Sequence, residues 1–161
     1  MASGLNWTMI RPGNFMSNAY QWADTIRAQG AFYQPTGEGR WAAIDPADIG
    51  AVAAKALTSA GHEEKGYTLT GPESMSAAQY AAVLSTVLGK PVKFVDVPPE
   101  AARDAILGAG IPPAYVAAIL DLYAAMKAGK ADVVTDTVEK VTGKRAGTFE
   151  AWARRNLAGF K

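Results

Sequence analysis

A chain of 161 residues that is 49% hydrophobic, 19% charged and carries a formal net charge of +1 sits at the globular average, which excludes a disordered, collagen-like or strongly basic nucleic-acid-binding chain. The length suffices for one core without covalent staples, and the lack of cysteine removes thiol catalysis, thiolate metal sites and disulfides together. No apolar run approaches the roughly 20 residues that span a bilayer, and Met1–Asn6 lacks the basic start and apolar middle of a signal peptide. The expectation is therefore a cytoplasmic protein with neither nucleic acid nor membrane as partner.

Trp7 to Arg11 is a short run of large and branched residues stopped by Pro12-Gly13, the pattern of a buried strand in a parallel sheet. From Asn14 onward Phe15, Ala19, Trp22, Ala23 and Ile26 recur at helical spacing until Gly30. Ala31 to Gln34 reads as a second strand, and Pro35 to Arg40 as a loop. Asp45 can cap the next helix, with Pro46 at its first position and a buried face of Ile49, Val52, Ala53, Ala56 and Leu57. A polar loop with the lone His62 leads to an alternating strand, Gly66 to Thr70, that stops at Gly71-Pro72.

Ser76 and Gln79 form a capping box, followed by the stripe Tyr80, Val83, Leu84, Val87, Leu88 and a terminating Gly89. Val92 to Val97 is the next strand, and Glu100 to Ala109 and Pro113 to Lys127 read as helices. The second of these is expected to bury Tyr115, Ala118, Ile119, Leu122, Tyr123 and Met126. A last helix runs from about Phe149 to Leu157, capped by Thr148, with Phe149, Trp152 and Ala153 on one side.

Hydrolytic chemistry finds little here, because the single histidine lies in a charged loop and no Gly-x-Ser-x-Gly turn is present. No metal site is expected either, since His62, Glu63 and Glu64 are consecutive and cannot converge as ligands. Neither phosphate-loop pattern occurs. What remains is Arg11-Pro12-Gly13-Asn14-Phe15, where a strand gives way to a helix. The carboxyl end of a strand in an open α/β sheet is a place where ligands bind. Gly13 would let a ligand approach the backbone, and Asn14 offers a donor and an acceptor. The alternative is that Pro-Gly makes a turn and Asn14 caps the helix.

The order and spacing of Leu5 to Phe15, the glycine-containing loop, Asp45-Pro46-Ala47-Asp48-Ile49-Gly50 and Gly61 to Pro72 resemble the second half of NmrA-like proteins, atypical relatives of the short-chain dehydrogenases. The likeness is greatest to the NAD(P)H:quinone oxidoreductase type 2 branch. It implies an α/β fold, the last sheet strands of an NAD(P)-binding Rossmann-like domain plus a mostly helical substrate domain. Residues 1–72 would end the first, with an inserted substrate-domain segment at about 28–44, and residues 73–161 would form the second.

The resemblance further implies that Pro12, Gly13, Asn14 and Phe15 line the nicotinamide end of NADP or NAD, with NADPH favoured. Trp22, Tyr33 and Trp41 are candidate walls for a flat quinone-like or other conjugated acceptor. The catalytic residues are not identifiable. The family's glycine-rich phosphate loop is not in this sequence, so the expectation is a C-terminal fragment. The intact parent would be an NAD(P)H-dependent oxidoreductase and the isolated fragment inactive. The alternatives are an NAD(P)-sensing regulator of the NmrA type and a truncated chain without cofactor. An unpaired parallel strand would expose an edge suited to a homodimer or other edge pairing.

Overall fold

The computed structural model describes residues 4–161; Met1, Ala2 and Ser3, with which the first expected unit opens, lie outside the described residues. Among the described residues two parallel strand pairs and seven α-helices make up most of the α/β architecture. β1 (Thr8–Pro12) pairs with β4 (Lys65–Leu69), placing Ile10 opposite Tyr67 and Pro12 opposite Leu69. β2 (Ala31–Gln34) pairs with β6 (Lys93–Asp96). A third, antiparallel pair joins β3 (Arg40–Trp41) to β5 (Met75–Ser76), inside and beyond the stretch expected to be loop. Among the described residues β1 and β4 pair only with each other.

The helices follow their caps. α2 (Pro46–Thr58) starts with the Asp45 carboxylate accepting from the Ala47 amide, with proline at the first helical position. α3 (Ala77–Leu88) has both halves of the Ser76–Gln79 capping box and ends on Gly89 at φ 65, a left-handed conformation that glycine takes without steric penalty. α7 (Phe149–Arg155) is capped by Thr148. The segment expected to be one helix after Asn14 is two pieces, a 3-10 helix at Met16–Trp22 and α1 (Ala23–Gln29). Of the expected apolar stripe Ala19, Trp22, Ala23 and Ile26 are buried, whereas Phe15 is 38% exposed and its neighbour Met16 is buried. α4 (Pro99–Gly108) and α5 (Pro113–Lys127) lie close to their expected bounds. α6 (Thr137–Thr142) was not foreseen: six residues hold too few turns to show a period.

Two apolar clusters result. The larger gathers the 3-10 segment, β2, α3, α5 and α7 around stacked aromatic rings. Trp22 lies flat on Phe32 at 4.1 Å between centroids, and Trp41 stacks on Tyr80 at 4.9 Å, contacts worth about 1 kcal/mol each beyond burial. The smaller joins Ile44, Val52, Leu69 and Val138. α6 thus brings the chain from beyond residue 130 back onto α2 and β4.

Two expected faces need correction. Leu57 is 87% exposed, because α2 docks through Val52 and Ile49 and turns its last turns toward a groove with Trp7, Thr8 and Ile10. On α5, Tyr115, Ala118 and Leu122 are exposed while Val116, Tyr123 and Met126 are buried. The apolar residues on α5 are spread around much of its circumference, so two stripes fit the sequence; packing against α4 and β3 selects the second. Among the described residues no helix is long and apolar enough to cross a membrane.

Candidate active site

The end of β1 is tied into the molecule through its backbone. The Gly13 amide donates to Leu69 O at 2.9 Å, the Ile44 amide to Asn14 O at 2.8 Å, and the Met16 amide to Ile44 O at 2.9 Å. This bridge holds Pro12 to Phe15 beside Ala42 to Ile44 and fixes where their side chains stand. Phe15, not Asn14, occupies the position before the 3-10 helix, and no side chain caps it. The Asn14 amide is therefore not used as a cap. A Cβ on Gly13 would meet Leu69 O at 3.6 Å, ordinary contact, so glycine is not required there by crowding.

Two adjoining cavities open at this segment. The inner one, about 420 Å³, runs from Asn14 and Phe15 past Trp22 and Trp41 to Tyr80, Tyr123 and Phe149. The outer one, about 600 Å³, is lined by Pro12, Gly13, Thr68, Thr70 and Lys130. Asn14, Phe15, Asn18, Trp41, Leu122 and Met126 belong to both. The structure thus brings together Pro12, Gly13, Asn14 and Phe15 with Trp22 and Trp41. Tyr33, expected as a third wall, is elsewhere. Strand alternation buries Phe32 and Gln34 and turns Tyr33 outward, where its hydroxyl donates to Gln29 Oε1 at 2.6 Å. Gln34 lines the inner cavity in its stead.

Tyr80 anchors the wall. Its hydroxyl donates to Trp41 O at 2.9 Å and accepts from the Ala43 amide at 3.1 Å, which pins the strip between the two cavities and the core. Burial pushes the Tyr80 phenol far above its ordinary value, and the Tyr123 phenol up as well. Both rings remain protonated at neutral pH and act as hydrogen-bonding groups, not as bases. Among the described residues no carboxylate lines either cavity, and Lys130 is the one cation that does. The chamber suits a flat, neutral or anionic ligand.

His62 stands apart, with Nδ1 2.7 Å from the Tyr67 hydroxyl, and lines neither cavity. No group of three or more His, Asp and Glu side chains among the described residues could hold a metal ion. Gln34, Tyr80 and Tyr123 were missed as site residues. The alternation along Ala31–Gln34 carried the signal for Gln34, since a strand with Tyr33 outward must turn its glutamine inward. Tyr80 and Tyr123 were legible as core positions, and only the tertiary fold shows that this core is hollow.

The family model described as the NmrA-like family matches residues 2–153. An NAD(P)H azoreductase of Xenophilus azovorans is 44% identical over 158 residues, covering 98% of this chain and 55% of the relative. A (4-alkanoyl-5-oxo-2,5-dihydrofuran-3-yl)methyl phosphate reductase of Streptomyces griseus is 39% identical over 158 residues, covering 98% of this chain and 56% of that protein. Among solved structures, the NADPH-dependent quinone oxidoreductase of Escherichia coli in complex with NADPH superposes with a TM-score of 0.85 at 28% identity, covering 97% of this chain and 55% of that one. The chain therefore spans a little over half the length of the relatives it matches.

Proposed function

The chain belongs to the NmrA-like family, and on that premise we propose that it forms the acceptor-binding part of an NAD(P)H-dependent reductase acting on quinone-like, azo or similarly conjugated compounds. The observation that carries the proposal is the shared boundary of the two cavities. Asn14, Phe15 and Trp41 belong to both, so a ligand ring on Pro12 to Phe15 would face a second ring in the aromatic chamber. Names of relatives support the same reading, an azoreductase and a quinone oxidoreductase among them.

The residues fit the nicotinamide end of the cofactor. Asn14 has an amide that caps no helix, complementary to a carboxamide in donor and acceptor, and Phe15 presents a 38% exposed ring beside it. Reduced nicotinamide, when bound, supplies a hydride. The chain's own part is to hold two flat rings at the Asn14–Trp41 boundary, where a correct approach replaces a bimolecular encounter. The aromatic walls of Trp22 and Trp41 exclude water, and the protonated Tyr123 hydroxyl offers a hydrogen bond in the inner chamber. NADPH is the proposed form, as it is the cofactor named for the Escherichia coli structure.

The test is NADPH oxidation by the full-length gene product with menadione and with para-hydroxyazobenzene as acceptors. Turnover with either supports the reductase. Cofactor binding without turnover on any acceptor points instead to dinucleotide sensing of the NmrA kind.

A further inference from the structure

The turn between β2 and β3 is braced by hydrogen bonds. Within it the Gly39 amide donates to Thr36 O at 2.9 Å. On one flank the Gly37 amide donates to Asp96 Oδ1, on β6, at 2.8 Å. On the other the Arg40 guanidinium donates to Gln79 Oε1, on α3, at 2.9 Å and to Ser74 O. Pro35, Thr36 and Gly39 are buried, so the turn has little room to give.

Against this turn lies the end of α5. A Cβ at Gly39 would overlap Met126 O and Met126 C and stand 2.8 Å from Lys127 Cα, closer than such atoms come in folded chains. Gly39 is not among the glycines at positive φ, so the close approach, and not backbone conformation, calls for glycine here. Asp96, which accepts from the turn, also lies 3.7 Å from Lys127 Nζ. Gln34 and Trp41, on either side of the turn, line the inner chamber together with Ile119, Tyr123 and Met126 of α5, and Gln34 Nε2 donates to the Tyr123 hydroxyl at 3.3 Å. The spacing of turn and helix is therefore the width of the chamber at this end.

We infer that Gly39 is a specificity-determining position of the inner chamber: by letting the turn touch the backbone of α5, it fixes how far Met126 and Tyr123 stand from Trp41 and so how bulky a ring system enters. The inference rests on the acceptor-chamber reading above and adds the residue that sets its size limit. Gly39 itself lines neither cavity and acts through Met126. A methyl group there must displace one backbone or the other. The turn is braced, whereas α5 packs mainly on α4 and β3 and leaves Tyr115 in its first turn 64% exposed, so the helix end yields and the chamber widens.

The test is equilibrium dialysis of the full chain, in the dark, against azobenzene and 4-tert-butylazobenzene, the same ring system thickened by four carbons. Gly39→Ala should shift the ratio of the two dissociation constants toward the bulkier compound by about tenfold, the lower end of what fit in an apolar pocket discriminates. Asp96→Ala, which frees the Gly37 amide and Lys127 without any overlap, should shift it the same way by about threefold, and it decides the matter if Gly39→Ala does not fold. Val138→Ala removes packing from the smaller cluster, away from both cavities, and should lower stability with the ratio unchanged. An unchanged ratio in the Gly39 and Asp96 variants overturns the inference and leaves the acceptor chamber standing. A shift of equal size in Val138→Ala overturns it too, since general loosening would then explain the change. If the wild-type chain binds neither compound, the inference falls together with the chamber reading.

Discussion

Replacing Tyr80 by Phe removes one oxygen atom and leaves the ring. The ring is fully buried, stacked on Trp41 and edge-on to Phe149, so packing is conserved. The loss falls on two hydrogen bonds, to Trp41 O and from the Ala43 amide. At about 1 kcal/mol per bond the cost is about 2 kcal/mol, and the buried Ala43 amide, left without this acceptor, moves it toward about 3 kcal/mol. In a chain of this size that corresponds to a fall in Tm of roughly 6–9 °C. Urea unfolding followed by circular dichroism should show a lower midpoint at unchanged slope. The strip carrying Trp41 should also loosen, weakening ring ligands in dialysis. A variant within about 0.5 kcal/mol of wild type, the range of a neutral surface change, would refute the claim that Tyr80 pins the cavity wall.

Gly13 and Gly71, which follow β1 and β4, should respond in opposite ways. A Cβ at position 71 would meet Ala43 O at 2.0 Å, so Gly71→Ala must displace backbone and is expected to cost more than about 2 kcal/mol in urea unfolding. Gly13→Ala, with its nearest contact at 3.6 Å, should unfold within about 0.5 kcal/mol of wild type yet bind reduced nicotinamide nucleotides more weakly by fluorescence titration. Asp48 gives a pH test. Burial raises its carboxyl above the usual range, opposed by the Gly147 amide that donates to it and aided by repulsion from Asp45. A carboxyl raised in the folded state contributes stability below its unfolded value and loses it as pH rises through the folded value. Asp48→Asn should therefore gain stability relative to wild type as pH increases from about 3 to 7. A gain in the reverse direction in parallel urea titrations would contradict the burial argument.

The local code carried much of the fold. The Asp45, Ser76 and Thr148 caps and the Gly30 and Gly89 stops are short-range chemistry, and each appears where the residues place it, whereas Trp7 to Arg11, read as a buried strand, is half-buried with Arg11 exposed. Which side of α5 is buried was a different kind of question. Val116 and Tyr115 are neighbours on an Ala-rich helix, and only the contacts from β3 and α4 decide between them. Leu57 failed for the same reason, since Val52 alone meets the cluster at full burial.

At the site, the turn at Pro12 to Phe15 was visible because a strand that ends in Pro-Gly leaves backbone at a sheet's rim. Trp22 and Trp41 could be proposed from their bulk. Gln34 was legible only as the inward member of a short strand, and its place on the chamber depends on Tyr123, far along the chain, to whose hydroxyl its amide donates.

In the proposed arrangement the nicotinamide ring lies against the end of β1 and the acceptor in the aromatic chamber behind it. Titration of reduced nicotinamide mononucleotide into the isotope-labelled chain, followed by heteronuclear correlation spectra, tests that placement residue by residue. The largest shifts are expected at the amides of Gly13, Asn14 and Phe15 and at the Trp41 indole. Shifts centred instead on the groove between Trp7, Ala53 and Leu57, or none at any of these positions up to saturating nucleotide, would contradict it.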